Sequence, residues 1–206
     1  MNRKSRVIGL AGGSGAGKSA VAYALRDRYP EVISVLHLDD YHKAPIDIPQ
    51  HQGKLNWDHP DAIDFQQLIN DLSELHAGKI ITVETKNPKD NPDYHQTRTR
   101  VPITIAPKPV IILEGFLTLW HPEVRKLLDV SVYLDAPGEL RLQRRTKFLD
   151  SAYQDEVLLP MHASFIEPTK QYAQYIISIA DKPLARVVEE FENVIKRFRA
   201  RLLEGV

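Results

Sequence analysis

A chain of 206 residues can bury one substantial core and reads as a single domain spanning 1–206. Lys and Arg total 27 and Asp and Glu total 27, so no global basic field favours a nucleic acid as partner, and the absence of cysteine excludes disulfides, thiolate metal sites and a cysteine nucleophile. No apolar run approaches membrane-spanning length and the first residues lead straight into a strand pattern, so neither a signal peptide nor a membrane partner is expected, and the cytoplasm is the default location.

The apolar run over 6–10 predicts a buried strand. Directly after it, Gly12-Gly13-Ser14-Gly15-Ala16-Gly17-Lys18-Ser19 spells G-x-x-x-x-G-K-S and opens a helix over 18–28, stopped by Tyr29-Pro30. Strand before and helix after is the context a phosphate-binding loop requires. Its glycines let successive N–H groups turn inward on phosphate oxygens, and the helix adds the positive end of its dipole. Gly13, Ser14, Gly15, Ala16, Gly17, Lys18, Ser19 and Ala20 are the expected nucleotide-binding residues. Lys18 would reach the β- and γ-phosphates, and the Ser19 hydroxyl would take a Mg²⁺ position.

A Val- and Ile-rich strand is predicted over 31–38, then a long loop over 44–60 and an amphipathic helix over 61–77, ended by Gly78. The runs 80–84 and 101–105 alternate and predict a small hairpin excursion across 86–100. An apolar strand over 110–113, a helix over 122–128, a strand over 130–134 and a charged helix over 137–148 follow. A lid over about 146–160, a strand over 175–179 and a closing helix over 183–203 complete the chain.

Strands alternating with helices predict an α/β fold with a mainly parallel sheet covered on both faces, in which ligands sit at the carboxyl ends of the strands. The phosphate loop, Asp39 and Glu114 all fall at such ends. Asp39 is placed to act as a base, and Asp39, Ser19 and Glu114 are the metal candidates. Asp40 can equally cap a turn. Arg141 and Arg145 lie one turn apart on a basic helix that would close over phosphates. Asp135-Ala136-Pro137-Gly138 matches D-x-x-G, but no N-K-x-D accompanies it, which argues against a GTPase.

These segments, with Asn56-Trp57-Asp58-His59-Pro60-Asp61-Ala62, Arg141-Leu142-Gln143-Arg144-Arg145 and the stretch from Pro160 to Ala173, resemble the uridine kinase and phosphoribulokinase group of P-loop kinases along nearly the whole chain. Asp39-Asp40-Tyr41-His42-Lys43 and Glu114-Gly115-Phe116-Leu117 are equally similar to nicotinamide riboside kinases. The resemblance implies a P-loop kinase fold and phosphoryl transfer from ATP, with Mg²⁺, to a hydroxyl. The acceptor it implies is the 5′-OH of a ribonucleoside such as uridine or cytidine, or else nicotinamide riboside or another sugar-like alcohol. Asp39, Lys18 and Arg145 would be catalytic. Asp39, Tyr41, Asp58, Tyr94, His95 and Arg98 would bind the acceptor, Asp58 through the ribose hydroxyls. Asp58 could instead cap the helix that starts after Pro60. Family members assemble, so a homo-oligomer is compatible.

Three departures from the family's pattern stand out. Phe148-Leu149-Asp150-Ser151-Ala152 follows the arginines where further lid arginines are usual, with Lys147 as a partial substitute. Asn87-Pro88-Lys89-Asp90-Asn91-Pro92 stands near the expected pyrimidine-contacting Pro-x-Tyr-Asp, and Ile179-Ala180-Asp181-Lys182-Pro183 lacks the usual glycines. The reading from another class is a nucleotide-binding regulatory protein with weak or no catalysis.

Overall fold

The computed structural model describes residues 5–145 and 151–204, with side chains through 198. The expected lid over 146–160 lies partly outside these residues, and so does Lys147.

Five strands form a wholly parallel sheet: β1 (Arg6–Ala11), β2 (Ile33–His37), β7 (Val110–Glu114), β8 (Val130–Asp135) and β9 (Tyr175–Ser178), in the spatial order β2-β7-β1-β8-β9. In the central register Ile8 lies opposite Ile112 and Leu10 opposite Glu114. On the neighbouring pair, His37 lies opposite Glu114. The ends of β1, β2 and β7 therefore open on one edge, and the phosphate loop, Asp39 and Glu114 lie at it.

Successive strand residues face opposite sides, and the two sides build separate cores. Ile8, Leu10, Val110 and Ile112 pack with α1 (Lys18–Arg28) and α8 (Leu184–Glu204) through Val21, Leu25, Val187 and Phe191. Val7, Ile111 and Leu113 pack with α2 (Phe65–His76) and α4 (Pro122–Leu127) through Leu68, Leu72 and Val124. The closely packed interior of such clusters makes the sheet a rigid platform for its loops.

The helix expected over 61–77 starts later. Pro60–Ala62 is a turn of 3₁₀ helix, and α2 begins at Phe65 because Asp64 caps it, its side chain accepting from Gln67 N at 2.9 Å. Within the 44–60 loop a two-residue ladder pairs β3 (Gln50–His51) with β4 (Lys54–Leu55). The predicted hairpin forms, with β5 (Ile81–Thr85) antiparallel to β6 (Val101–Ile105). Between them sits a helical turn, α3 (Tyr94–Thr97), that no periodicity signalled.

The basic helix is α5 (Gly138–Arg145). Beyond the undescribed segment the chain is not a loop. It runs helically through α6 (Ser151–Tyr153), α7 (Leu159–Met161) and π-type turns at Gln154–Leu158 and His162–Ile166. Gln154, Val157 and Leu158 are buried, so 151–160 packs against the body of the protein instead of standing free of it.

Candidate active site

The phosphate loop takes a cradle shape that requires glycine at Gly15 and brings Gly13 against Arg141. Gly15 has φ 85°, and a Cβ there would meet the backbone oxygen of Arg141 at 2.5 Å. A Cβ on Gly13 would meet the Arg141 guanidinium at 2.6 Å. Helix α5 thus lies directly on the loop, and Arg144 donates to Gly15 O at 3.2 Å. Arg141 is buried, and among the described residues its Nε and Nη1 have no hydrogen-bond partner and neither has Arg145 Nε. Buried guanidinium N–H groups without acceptors beside a ring of backbone amides fit an anionic ligand such as a polyphosphate.

Lys18 is buried and donates to Gly13 O at 3.1 Å. Burial pushes its pKa below the usual lysine range, against the opposing pull of Glu114 and Asp39. Ser19 Oγ donates to Glu114 Oε1 at 2.9 Å, and His37 Nδ1 lies 2.6 Å from the same oxygen. Burial works against charge on His37, but the Glu114 carboxylate outweighs it and holds the pKa above the ordinary value. A hydroxyl and a carboxylate side by side under the phosphate cradle fit Mg²⁺, which takes one or two protein ligands and completes its shell with phosphates and water. Among the described residues no cluster of three or more His, Asp or Glu builds a metal cage without them.

Asp39 sits in a 3₁₀ turn, Leu38–Tyr41, just beyond β2. Its carboxylate opens onto solvent; partial desolvation by its surroundings acts to raise its pKa, yet Lys86, His42, Lys18 and Arg145 together hold it below the usual carboxylate range. Two cavities meet at this residue. One, of about 280 Å³, is lined by the phosphate loop, Ala20, Glu114 and Arg144. The other, of about 1110 Å³, runs outward past Trp57, Asp58, Tyr94, His95 and Arg98. Ser19, Asp39 and Arg145 line both.

The structure gathers most of the expected acceptor residues along this second cavity. Asp58 is buried and accepts from Tyr153 Oη at 2.9 Å, and burial raises its pKa. It caps no helix, because His59 and Asp64 hold the two capping positions. Tyr41 is a correction. Its ring is in the core under α2, and its hydroxyl donates to Asp71 Oδ2 at 2.8 Å, so it does not reach the cavity. The period-3 geometry of the 3₁₀ turn sends Asp39 and Tyr41 to different sides.

Other residues complete the site, Asp40 among those the sequence offered and Lys86, Arg100 and Tyr153 among those it did not. Asp40 ties the catalytic turn to the hairpin by accepting from Lys86 N at 2.9 Å. Arg100 clamps the same turn, donating to the backbone oxygens of Asp40 and His42, each at 2.9 Å. Lys86 Nζ lies 3.1 Å from His42 Nδ1, and His42 Nε2 lies 2.9 Å from Trp57 O. His42 Nδ1 also lies 2.9 Å from Asp39 O, so the ring ties Lys86, the Asp39 turn and Trp57 together. Tyr153, the partner of Asp58, comes from the far side of the undescribed segment.

Residues 7–185 match the family model described as the phosphoribulokinase / uridine kinase family. This chain belongs to that family. A uridine kinase of Geobacillus kaustophilus (strain HTA426) is 40% identical over 192 residues, which cover 86% of this chain and 87% of the relative. A uridine kinase of Clostridium botulinum (strain Okra / Type B1) is 37% identical over 183 residues, 83% of this chain and 86% of the relative. Among solved structures, a possible uridine kinase from Bacillus stearothermophilus matches with a TM-score of 0.62 at 21% identity, over 86% of this chain and 90% of that one. Shikimate kinase from Acinetobacter baumannii matches with a TM-score of 0.54 at 15% identity, over 95% of each chain. These two likenesses bear on the fold, which is that of a P-loop kinase. As a family member the chain is a phosphotransferase acting on a hydroxyl. No helix among the described residues is long and apolar enough to cross a membrane.

Proposed function

We propose that this kinase transfers the γ-phosphate of ATP to a ribonucleoside, most simply to the 5′-OH of uridine or cytidine. The observation that carries the reading is the meeting of two cavities at Asp39, Ser19 and Arg145. A donor phosphate on the loop and an acceptor hydroxyl in the larger cavity would face each other there, and phosphoryl transfer needs little beyond that positioning. The uridine kinases related to this chain over most of its length support a ribonucleoside acceptor.

Each residue has a task in this scheme. Asp39, kept ionised by its cationic surroundings, accepts the hydroxyl proton. Lys18 and Arg145 offset charge on the transferring group, and Arg141 fixes helix α5 against the loop. Asp58, braced by Tyr153, accepts hydrogen bonds from the sugar hydroxyls. Ser19 and Glu114 would hold Mg²⁺, which neutralises phosphate charge when bound.

The test is ADP release with ATP and Mg²⁺ against uridine, cytidine, adenosine, nicotinamide riboside, pantothenate and ribulose 5-phosphate, with Asp39→Asn as the blank. Turnover of a ribonucleoside that vanishes in the blank is expected. Turnover confined to a non-nucleoside alcohol would overturn the reading, and ATP binding with no transfer to any acceptor would favour a regulatory protein.

A further inference from the structure

The excursion between β5 and β6 is tied to the body of the protein at both ends and in its middle. At the ends, Lys86 N reaches Asp40 and Arg100 reaches the backbone of the same turn. The middle is tied to a different element. Asp90 accepts from Tyr23 Oη at 3.1 Å and from Arg26 Nη1 at 3.0 Å, both on α1. Beside it, Lys89 pairs with Asp27 at 2.9 Å. The Arg26 guanidinium lies 4.3 Å and Lys89 Nζ 5.3 Å from the centre of the buried Tyr23 ring, so Tyr23 is the hub of the contact. Asn91 only closes the segment on itself, donating from Nδ2 to Thr85 O and Thr99 O.

The residues between these anchors form one wall of the larger cavity. Asn87 and Pro88 precede Asp90, and Tyr94, His95 and Arg98 follow it. Helix α1 leaves the phosphate loop and carries Ser19, so the contact seats the acceptor wall on the helix of the nucleotide site. Asp90 is not among the residues that line either cavity. We propose that Asp90 is a positioning residue for the acceptor: through Tyr23 and Arg26 it seats residues 87–98 on α1 and sets how tightly the larger cavity binds. The proposal rests on the reading of that cavity as the acceptor site. Hydrogen bonds to a carboxylate are of the stronger, charge-assisted kind. A wall docked only about a tenth of the time would bind the acceptor ~10-fold more weakly, while the complexes that form react at the usual rate. The reacting groups are held without Asp90, since Arg100 clamps the Asp39 turn and Asp40 holds Lys86 N.

Steady-state kinetics with ATP and each of uridine, cytidine and nicotinamide riboside test it in the wild type, Asp90→Ala, Asp90→Asn, Tyr23→Phe and the Tyr23→Phe/Asp90→Ala double variant. Tyr23→Phe removes only the hydroxyl and keeps the ring, whose centre lies 5.1 Å from that of His37. The acceptor KM should rise ~10-fold in Asp90→Ala and by less in Tyr23→Phe, with kcat and the KM for ATP unchanged. Asp90→Asn keeps an acceptor oxygen and should recover part of the loss. The double variant should match Asp90→Ala, because both changes remove one contact. Tyr23→Phe carries the test alone if the Asp90 variants do not fold. A lowered Tm with the acceptor KM unmoved would make the contact merely structural and overturn the proposal, leaving the acceptor reading intact. A parallel rise in the KM for ATP, or effects that multiply in full in the double variant, would overturn it as well. Turnover of none of the three nucleosides by the wild type, with ATP binding retained, would overturn both.

Discussion

Ser19 and Glu114, 95 residues apart in the chain, share a hydrogen bond of 2.9 Å at the mouth of the phosphate loop. The parallel register of β1 with β7 produces it: Leu10 lies opposite Glu114, and the loop that leaves β1 returns to present Ser19 above the end of β7. His37 holds the same carboxylate oxygen from the other neighbouring strand. Glu114→Gln keeps the shape and removes the charge, so kcat should fall while the Mg²⁺ concentration for half-maximal rate rises. Titration of the rate with Mg²⁺ checks this, and an unchanged midpoint would take Glu114 out of the metal site.

Among the described residues Asp39 is the one carboxylate that lines both cavities. Asp39→Asn should lower kcat by ~10²–10⁴, the usual effect of removing a general base, while ATP affinity measured by calorimetry survives. Loss of both together would point to a structural defect instead.

Lys86 heads the groups that depress the pKa of Asp39 against the partial desolvation that would raise it. A carboxylate with a depressed pKa stays ionised to lower pH, so the acid limb of kcat/KM lies below the ordinary carboxylate range of about 3.9. Lys86→Met removes that cation, and the limb should move to higher pH. A pH profile of wild type and variant at saturating ATP checks the sign, and a limb moving down would reverse the assignment.

Much of this site was legible in the sequence because it lies at strand ends, where continuous apolar runs and a fixed loop motif locate residues to within one or two positions. The phosphate loop, Asp39 and Glu114 emerged that way, and the sheet brings them together. The acceptor wall was less legible. Lys86 and Arg100 flank a hairpin whose pairing the alternation showed, but their roles depend on where that hairpin docks, which no local pattern encodes. Tyr153 was hidden in a stretch read as a lid, since π-type turns at Gln154–Leu158 break the 3.6-residue rhythm. Tyr41 failed for the opposite reason: it stands in a motif of functional residues, while the tight turn after Asp39 directs it into the core.

Tyr41 offers a direct check of that correction. Tyr41→Phe leaves Asp71 short of one donor in a buried setting, although Gln67 still reaches its other oxygen at 2.7 Å. A stability loss of about 1–3 kcal/mol in urea unfolding is expected, with KM for the acceptor unchanged. A raised KM at intact stability would restore Tyr41 to the acceptor site.

His162 makes the fold sensitive to acid. It stands in the second π-type turn, half enclosed, with Nε2 at 3.3 Å from Glu167 and a buried Nδ1 that has no partner among the described residues. Burial, reinforced by Arg141, pushes its pKa down to about 4. The unfolded chain protonates this histidine near 6.5 and the folded one only near 4, so between those values the unfolded state binds more protons. Its contribution to stability is therefore complete above pH 6.5 and drains away as the pH falls toward 4. Thermal melts across that window should show a falling Tm for the wild type and a shallower slope for His162→Gln. Because Arg141 presses on both His162 and the phosphate loop, a nucleotide that neutralises Arg141 should ease protonation of His162. The Tm of the ATP-bound protein should accordingly fall less steeply with acid than that of the free protein, and parallel slopes would disconnect the two groups.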